Sequence, residues 1–167
     1  NATLIECSVG GLQLRTDCSS YIVVTGAELP LSINGKAAEL WTVHKVQPGD
    51  VIELGMVSKG LRAYLAVAGG FKLTPQFGSV STVLREGIGG LNGNKLQSSD
   101  LLAAQEVKQL PRLSLPQAYQ PQFNRILTLR LVEGYQADSF PVTERQRFYL
   151  NSYKVTPQAD RMGYKLT

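Results

Sequence analysis

Histidine is nearly missing from this sequence of 167 residues: His44 stands alone, and only Cys7 and Cys18 join it as soft ligands. A metal centre needs several His, Cys or carboxylate ligands at close spacing. None are clustered, so no metal site is expected. A serine or cysteine nucleophile needs a histidine with partners in reach, and there is no Gly-x-Ser-x-Gly elbow. His44 therefore reads as a strand residue on a half-buried face. Two thiols eleven residues apart do not staple a chain of this size, which points to free cysteines in a cytoplasmic protein. No apolar run approaches the roughly 20 residues of a membrane helix, and neither a leader nor a lipidation box is present. No membrane association is expected. The first residue is Asn1 rather than Met, and the chain reads as a piece of a longer protein.

Charge of one sign is also scarce. The net charge is +4, with 17 basic and 13 acidic side chains. Residues 1–110 are balanced at nine of each, so the excess lies in residues 111–167. There Arg125, Arg130, Arg145, Arg147 and Arg161 are spaced singly. Nucleic-acid binding calls for a basic stripe with interleaved aromatics, so no nucleic-acid partner is expected.

What the sequence does have is apolar content at 43%, 16 glycines and 8 prolines. That is enough to bury a core, in a turn-rich β protein rather than a helical bundle. Thr3 to Ser8 is apolar and β-branched, and Leu12 to Arg15 alternates with period two. Tyr21 to Thr25 is a continuous apolar run, as expected of a strand covered on both faces. Leu31-Ser32-Ile33 leads into Asn34-Gly35, a strong hairpin signal, with a return strand expected over Leu40 to Val46. Val51 to Leu54 and Leu61 to Ala68 complete the set. Strands every ten residues or so, with no room for helical crossovers, predict an all-β antiparallel sandwich or barrel.

Prolines 111, 116 and 121 mark residues 111–121 as extended connecting chain between a β-barrel-like core over 1–110 and a second unit over 122–167. That unit is expected to be β-rich. It would have a strand over Ile126 to Val132, a short helix from Thr143 as N-cap to Leu150, and short strands over Tyr153 to Thr156 and Met162 to Leu166. It stops without a closing element. Unfilled strand edges tend to pair, which predicts self-association of the isolated chain.

Chemistry could sit at the glycines. Gly69-Gly70, and Gly78 to Thr82 followed by Gly87 to Gly93, let backbone approach a ligand, and successive N–H groups can form an anion nest. The hydroxyls of Ser79, Ser81 and Thr82 would add donors. No P-loop matches, and the dinucleotide fingerprint fails because residue 92 is Asn. Tight turns in a β-barrel explain the same glycines. Asp160-Arg161 is either an anion-binding fork or a structural ion pair.

Taken together, Gly60-Leu-Arg-Ala-Tyr-Leu-Ala-Val-Ala-Gly-Gly70, Gly78-Ser-Val-Ser-Thr82, Gly87-Ile-Gly-Gly-Leu-Asn-Gly93 and Asp160-Arg-Met-Gly-Tyr164 resemble one family. It is the allophanate hydrolase subunit 2 family, also called the biotin-dependent carboxyltransferase domain or the 5-oxoprolinase C subunit (the KipI antagonist). Leu4-Ile5-Glu6 and Thr25-Gly26-Ala27 fit the same pattern. Members are roughly twice this length, and the family commonly has Arg where Val80 and Asn94 stand here. The resemblance implies a cyclophilin-like β-barrel belonging to an ATP-dependent 5-oxoprolinase, which opens 5-oxoproline to glutamate with its A and B subunits. It implies ATP in the assembled enzyme, a KipI-like B-subunit partner together with the A-subunit homologue, and a small amide substrate. The alternatives are a carboxyltransferase component of a urea carboxylase, or a non-catalytic partner of a KipI-like kinase inhibitor. Arg161 and Tyr164 are then the expected catalytic contacts, with Gly69, Gly70, Ser79, Ser81 and Thr82 as the substrate or phosphate cradle.

Overall fold

A computed structural model describes residues 2–123, 126, 128–158 and 163–167. The chain divides into two compact units, residues 1–124 and 125–167. The first holds eight strands: β1 (Leu4–Ser8), β2 (Leu12–Arg15), β3 (Ser20–Glu28), β4 (Leu31–Ile33), β5 (Lys36–Ala38), β6 (His44–Val46), β7 (Val51–Leu54) and β8 (Lys59–Val67). They form two four-stranded sheets, ordered β1-β8-β3-β6 and β2-β7-β4-β5, and every pairing is antiparallel. The fold is all-β as expected, as two sheets rather than one closed ring.

Alternation explains which side chains go inside. Along β7, Ile52 and Leu54 are buried while Val51 and Glu53 are only partly covered. Along β1, Ile5 and Cys7 take the inner positions between exposed Leu4 and Ser8. With Ile22, Val24, Leu31 and Leu65 they form one cluster. Each fully buried aliphatic side chain adds about 1.5–3 kcal/mol of burial free energy. β3 is covered on both faces, with Ser20, Tyr21, Ile22 and Val24 all buried.

The cover for β3 comes from far along the chain. The Ser20 hydroxyl donates to the Gln105 carbonyl at 3.4 Å and the Tyr21 hydroxyl to the Lys108 carbonyl at 3.4 Å. Val107 N–H donates to Ser19 at 3.2 Å, and Lys72 N–H to Ala103 at 2.8 Å. The belt continues into the proline-rich run, where Val43 N–H donates to Leu113 and Leu115 N–H to Trp41, both at 2.8 Å. This chain is extended around Ser114, with one 3-10 turn at Gln117–Tyr119, and it is part of the first unit rather than a connection between units.

The belt also accounts for a departure from the expected hairpin. Asn34-Gly35 does turn the chain, but the return strand is β5, and it ends at Ala38. Trp41 has φ 60°, which breaks the expected Leu40 to Val46 strand, and β6 then joins the other sheet. Trp41 is held there because its N–H donates to Val24 and its carbonyl accepts from Leu115. His44 is a half-buried strand residue, as expected, with Nε2 2.7 Å from the Glu39 carbonyl oxygen. Both cysteines are free, Cys7 buried and Cys18 partly so.

The second unit departs further. It contains α1 (Val142–Leu150), a 3-10 turn at Ala137–Ser139 and a single bridge between Val155 and Leu166. The strand expected over 126–132 does not form: Ile126 is in a bend, residues 128–132 have no strand geometry, and Leu127 lies outside the described residues. The helix starts two residues early, with Pro141 in the N-cap position and no side-chain capping bond, so Thr143 is not the cap. The two expected C-terminal strands shrink to a short pairing, Lys154 N–H to Thr167 at 2.8 Å and Thr156 N–H to Lys165 at 2.9 Å. Met162 lies outside the described residues.

Candidate functional site

Three turns follow one another between residues 76 and 94. In the first, Gln76 and Ser79 exchange backbone bonds of 2.8 and 3.0 Å around Phe77 and Gly78, at φ 51° and 76°. That is a two-residue hairpin turn with both central residues left-handed. In the second, Val83 and Ile88 exchange bonds of 2.8 and 3.3 Å. In the third, Asn94 N–H donates to Leu91 at 3.3 Å across Asn92 and Gly93.

The turns are locked to one another. The Gln76 side-chain oxygen accepts the Gly89 N–H at 3.0 Å. Gly90 N–H donates to the Val80 carbonyl and Gly93 N–H to the Gly89 carbonyl, both at 2.9 Å. Gly89 and Gly90 have φ 72° and 52°, and their Cα atoms face the Ser81 carbonyl and the Thr82 side chain too closely to admit a Cβ. Only glycine combines that backbone conformation with that approach.

The expected site residues divide accordingly. Ser79, Ser81 and Thr82 are brought together with Gly87 to Gly93 in the turn stack, and all three are exposed. Ser79 Oγ accepts the Ser81 N–H at 3.2 Å. Gly69 and Gly70 have a different setting, in the turn after β8. Gly70 is buried against Thr3, whose hydroxyl donates to the Phe71 carbonyl at 2.6 Å and accepts the Phe71 N–H. Gly69 lies beside the Gln105 side chain. Tyr164 is in the second unit and 63% exposed. Arg161 and its neighbour Asp160 lie outside the described residues.

The amides of Gly70, Ser79, Ser81, Gly89 and Gly90 all donate within the chain. An anion nest needs unspent amides, so these five are engaged in holding the turns rather than free for a ligand. Ser79, Ser81 and Thr82 are exposed residues of the stack, with the Thr82 hydroxyl turned toward Gly90 and the Ser79 hydroxyl accepting from Ser81. No group of three potential metal ligands occurs among the described residues. No helix among them is long and apolar enough to cross a membrane.

Gln76 was not legible as a site residue. It has no partner at helical or strand spacing, and its one signal is its place beside Phe77-Gly78, a turn dipeptide.

One carboxylate outside the stack is perturbed. Asp50 is held below the ordinary carboxylate range, first by the Asn34 side-chain amide and then by the Gln47 N–H, each at 2.7 Å, with burial opposing. Separately, the second unit has a concavity of about 860 Å³ lined by Tyr135, Phe140, Phe148, Tyr149 and Tyr153. Arg145 also lines it, paired with Glu133 at 2.8 Å, and its Nε is buried without a hydrogen-bond partner.

The sequence model of the carboxyltransferase domain, subdomains A and B, matches residues 1–167. This chain belongs to the carboxyltransferase domain family. It is 30% identical to the 5-oxoprolinase C subunit of Escherichia coli K12 over 168 residues, which is 99% of this chain and 53% of that protein. It is 29% identical to a urea amidolyase of Lachancea kluyveri, covering 99% of this chain and 10% of that one. Among solved structures, TTHA0988 superposes with a TM-score of 0.83 at 26% identity, covering 98% of this chain and 58% of that one. The urea carboxylase of Kluyveromyces lactis gives 0.76 at 25%, covering 97% and 16%. This carboxyltransferase-family chain thus spans about half the length of the 5-oxoprolinase relatives and a small part of the urea enzymes. Its relatives are subunits or domains of larger hydrolase and carboxylase systems.

Proposed function

We propose that this chain is part of the C subunit of an ATP-dependent 5-oxoprolinase, which hydrolyses 5-oxoproline to glutamate. The observation that carries this reading is 30% identity to the 5-oxoprolinase C subunits of Escherichia coli and Haemophilus influenzae, over 99% of the chain in each case. The assembled enzyme would be cytoplasmic and would include an A subunit and a KipI-like B subunit. ATP would be a substrate of that assembly.

The exposed hydroxyls of Ser79, Ser81 and Thr82 would serve as donors to a lactam carbonyl oxygen as negative charge develops on it. Donors aimed at developing charge from a rigid frame lower a barrier most, because they do not reorganise during reaction. Gly69 and Gly70 would support this surface through their packing on Thr3 and Gln105. Arg161 and Tyr164 remain proposed substrate contacts on the strength of the family motif over residues 160–164 alone.

A second reading is favoured by the urea amidolyase and urea carboxylase relatives: a carboxyltransferase component acting on urea. The test uses the full-length parent with its A- and B-subunit homologues, following ADP release with and without 5-oxoproline, and loss of the carboxyl group from a pre-carboxylated biotin carrier with and without urea. ADP release that depends on 5-oxoproline and yields glutamate supports the first reading. Carboxyl loss from the carrier that depends on urea, without ADP release, supports the second. A tight complex without turnover on either leaves a regulatory partner of a KipI-like inhibitor.

A further inference from the structure

Gly89 and Gly90 donate in succession to the first turn of the stack, but to acceptors of different kinds. Gly90 N–H meets the Val80 carbonyl at 2.9 Å, a bond the backbone supplies whatever residue stands there. Gly89 N–H meets the side-chain oxygen of Gln76 at 3.0 Å, a bond that depends on one residue. Gly89 is buried, so without that oxygen its amide would be left short of an acceptor.

The turn itself presents Gln76. Phe77 and Gly78 both have positive φ, and Gln76 and Ser79 stand opposite each other across them. An aromatic residue at φ 51° is strained, and such strain persists only where the surrounding structure holds it. The bond from Gly89 is one contact that does so. From Gly89 the clamp reaches the hydroxyls in a single step. The Gly89 Cα lies against the Ser81 carbonyl and the Gly90 Cα against the Thr82 hydroxyl, both too close to admit a Cβ. A shift of the 89–90 backbone therefore moves the support behind Ser81 and Thr82. These contacts lie within the stack and hold whatever else covers it.

We propose that Gln76 is a positioning residue, which sets the Thr82 hydroxyl through the Gly89–Gly90 backbone without touching the substrate. The inference rests on the reading of that hydroxyl as a donor to the lactam carbonyl. A donor that acts on charge developing in the transition state is sensitive to small displacements. Loss of the clamp should therefore appear in kcat rather than in KM.

The test uses the full-length parent assembled with its A- and B-subunit homologues and supplied with ATP and 5-oxoproline. Gln76→Met keeps the length of the side chain and removes the acceptor. Its kcat should fall about tenfold or more, with KM within about twofold of wild type. Thr82→Val keeps the bulk against Gly90, and its kcat should fall about a hundredfold. Added to Thr82→Val, the Gln76 change should cost less than about twofold, because its route to the substrate is already gone. A loss that persists at full size in that background is a folding effect and overturns the inference. So does a wild-type kcat in Gln76→Met, a loss carried by KM, a Gln76→Met parent that does not fold, or a Thr82→Val parent with unchanged kcat. A wild-type parent that does not turn over 5-oxoproline overturns the functional reading and this inference with it.

Discussion

The two units of this chain are built on different terms. In the first, two sheets enclose a cluster that includes Ile22, Val24, Leu54 and Leu65, each 3% exposed or less. In the second, no described residue is buried, although Tyr135, Phe140, Val142, Phe148 and Leu150 are all large and apolar. What orders the second unit is local: a nine-residue helix, the ring contacts of Phe148 with Tyr149 and Tyr153 at 5.3 and 5.6 Å, and the pairs of Arg145 with Glu133 and Arg147 with Glu144. A helix that short is marginal in water without a packed face, and exposed ion pairs contribute little. The difference teaches that stability of the described chain resides almost wholly in the first unit.

The sharpest way to break this comparison is to truncate one leucine in each unit. Leu54→Ala should cost about 2–5 kcal/mol in chemical denaturation, because the sheet cluster cannot collapse around the hole. Leu150→Ala, at 83% exposure, should stay within about 0.5 kcal/mol. Equal losses would end the distinction.

A smaller effect sharpens it from the acid side. The Asp50 carboxyl lies lower when folded than when unfolded, so it stabilises the first unit above the ordinary carboxylate range. That contribution is lost as pH falls from about 4 through the lower folded value. Asp50→Asn should therefore lower stability at neutral pH and flatten its acid dependence, read from urea midpoints between pH 7 and pH 2. A slope identical to wild type would remove Asp50 from the account.

The smallest expected effect is in the second unit. Thr143→Ala should change stability by less than about 0.5 kcal/mol, against the roughly 1 kcal/mol of a true N-cap loss, because Thr143 makes no capping bond. Helical content by circular dichroism should likewise hold.

Legibility in the sequence followed the same division. Ile52 and Leu54 alternate with Val51 and Glu53 in sequence and in space, so β7 could be read directly. The 126–132 segment alternates just as clearly and forms no strand over residues 128–132, because alternation yields a strand only where a neighbouring strand supplies the ladder. Trp41 broke the expected return strand because the groups that hold it, at Val24 and Leu115, are remote in sequence. At the site, the glycine spacing was legible but its reason was not. Gly89 and Gly90 serve the close passage of Ser81 and Thr82, and the clamp from Gln76 has no sequence pattern at all.

The belt sets an order of events on this molecule. The last sheet strand, β8, ends at Val67, yet the carbonyl of Trp41 and the amide of Val43 have no partners until the chain has been made through Leu115. A ribosome-bound nascent chain can close both sheets long before it can fasten them. In the finished protein the same seam should open before the sheets it fastens, so deuterium should enter Val43 and Leu115 ahead of the Ile22 and Val24 amides inside the sheet.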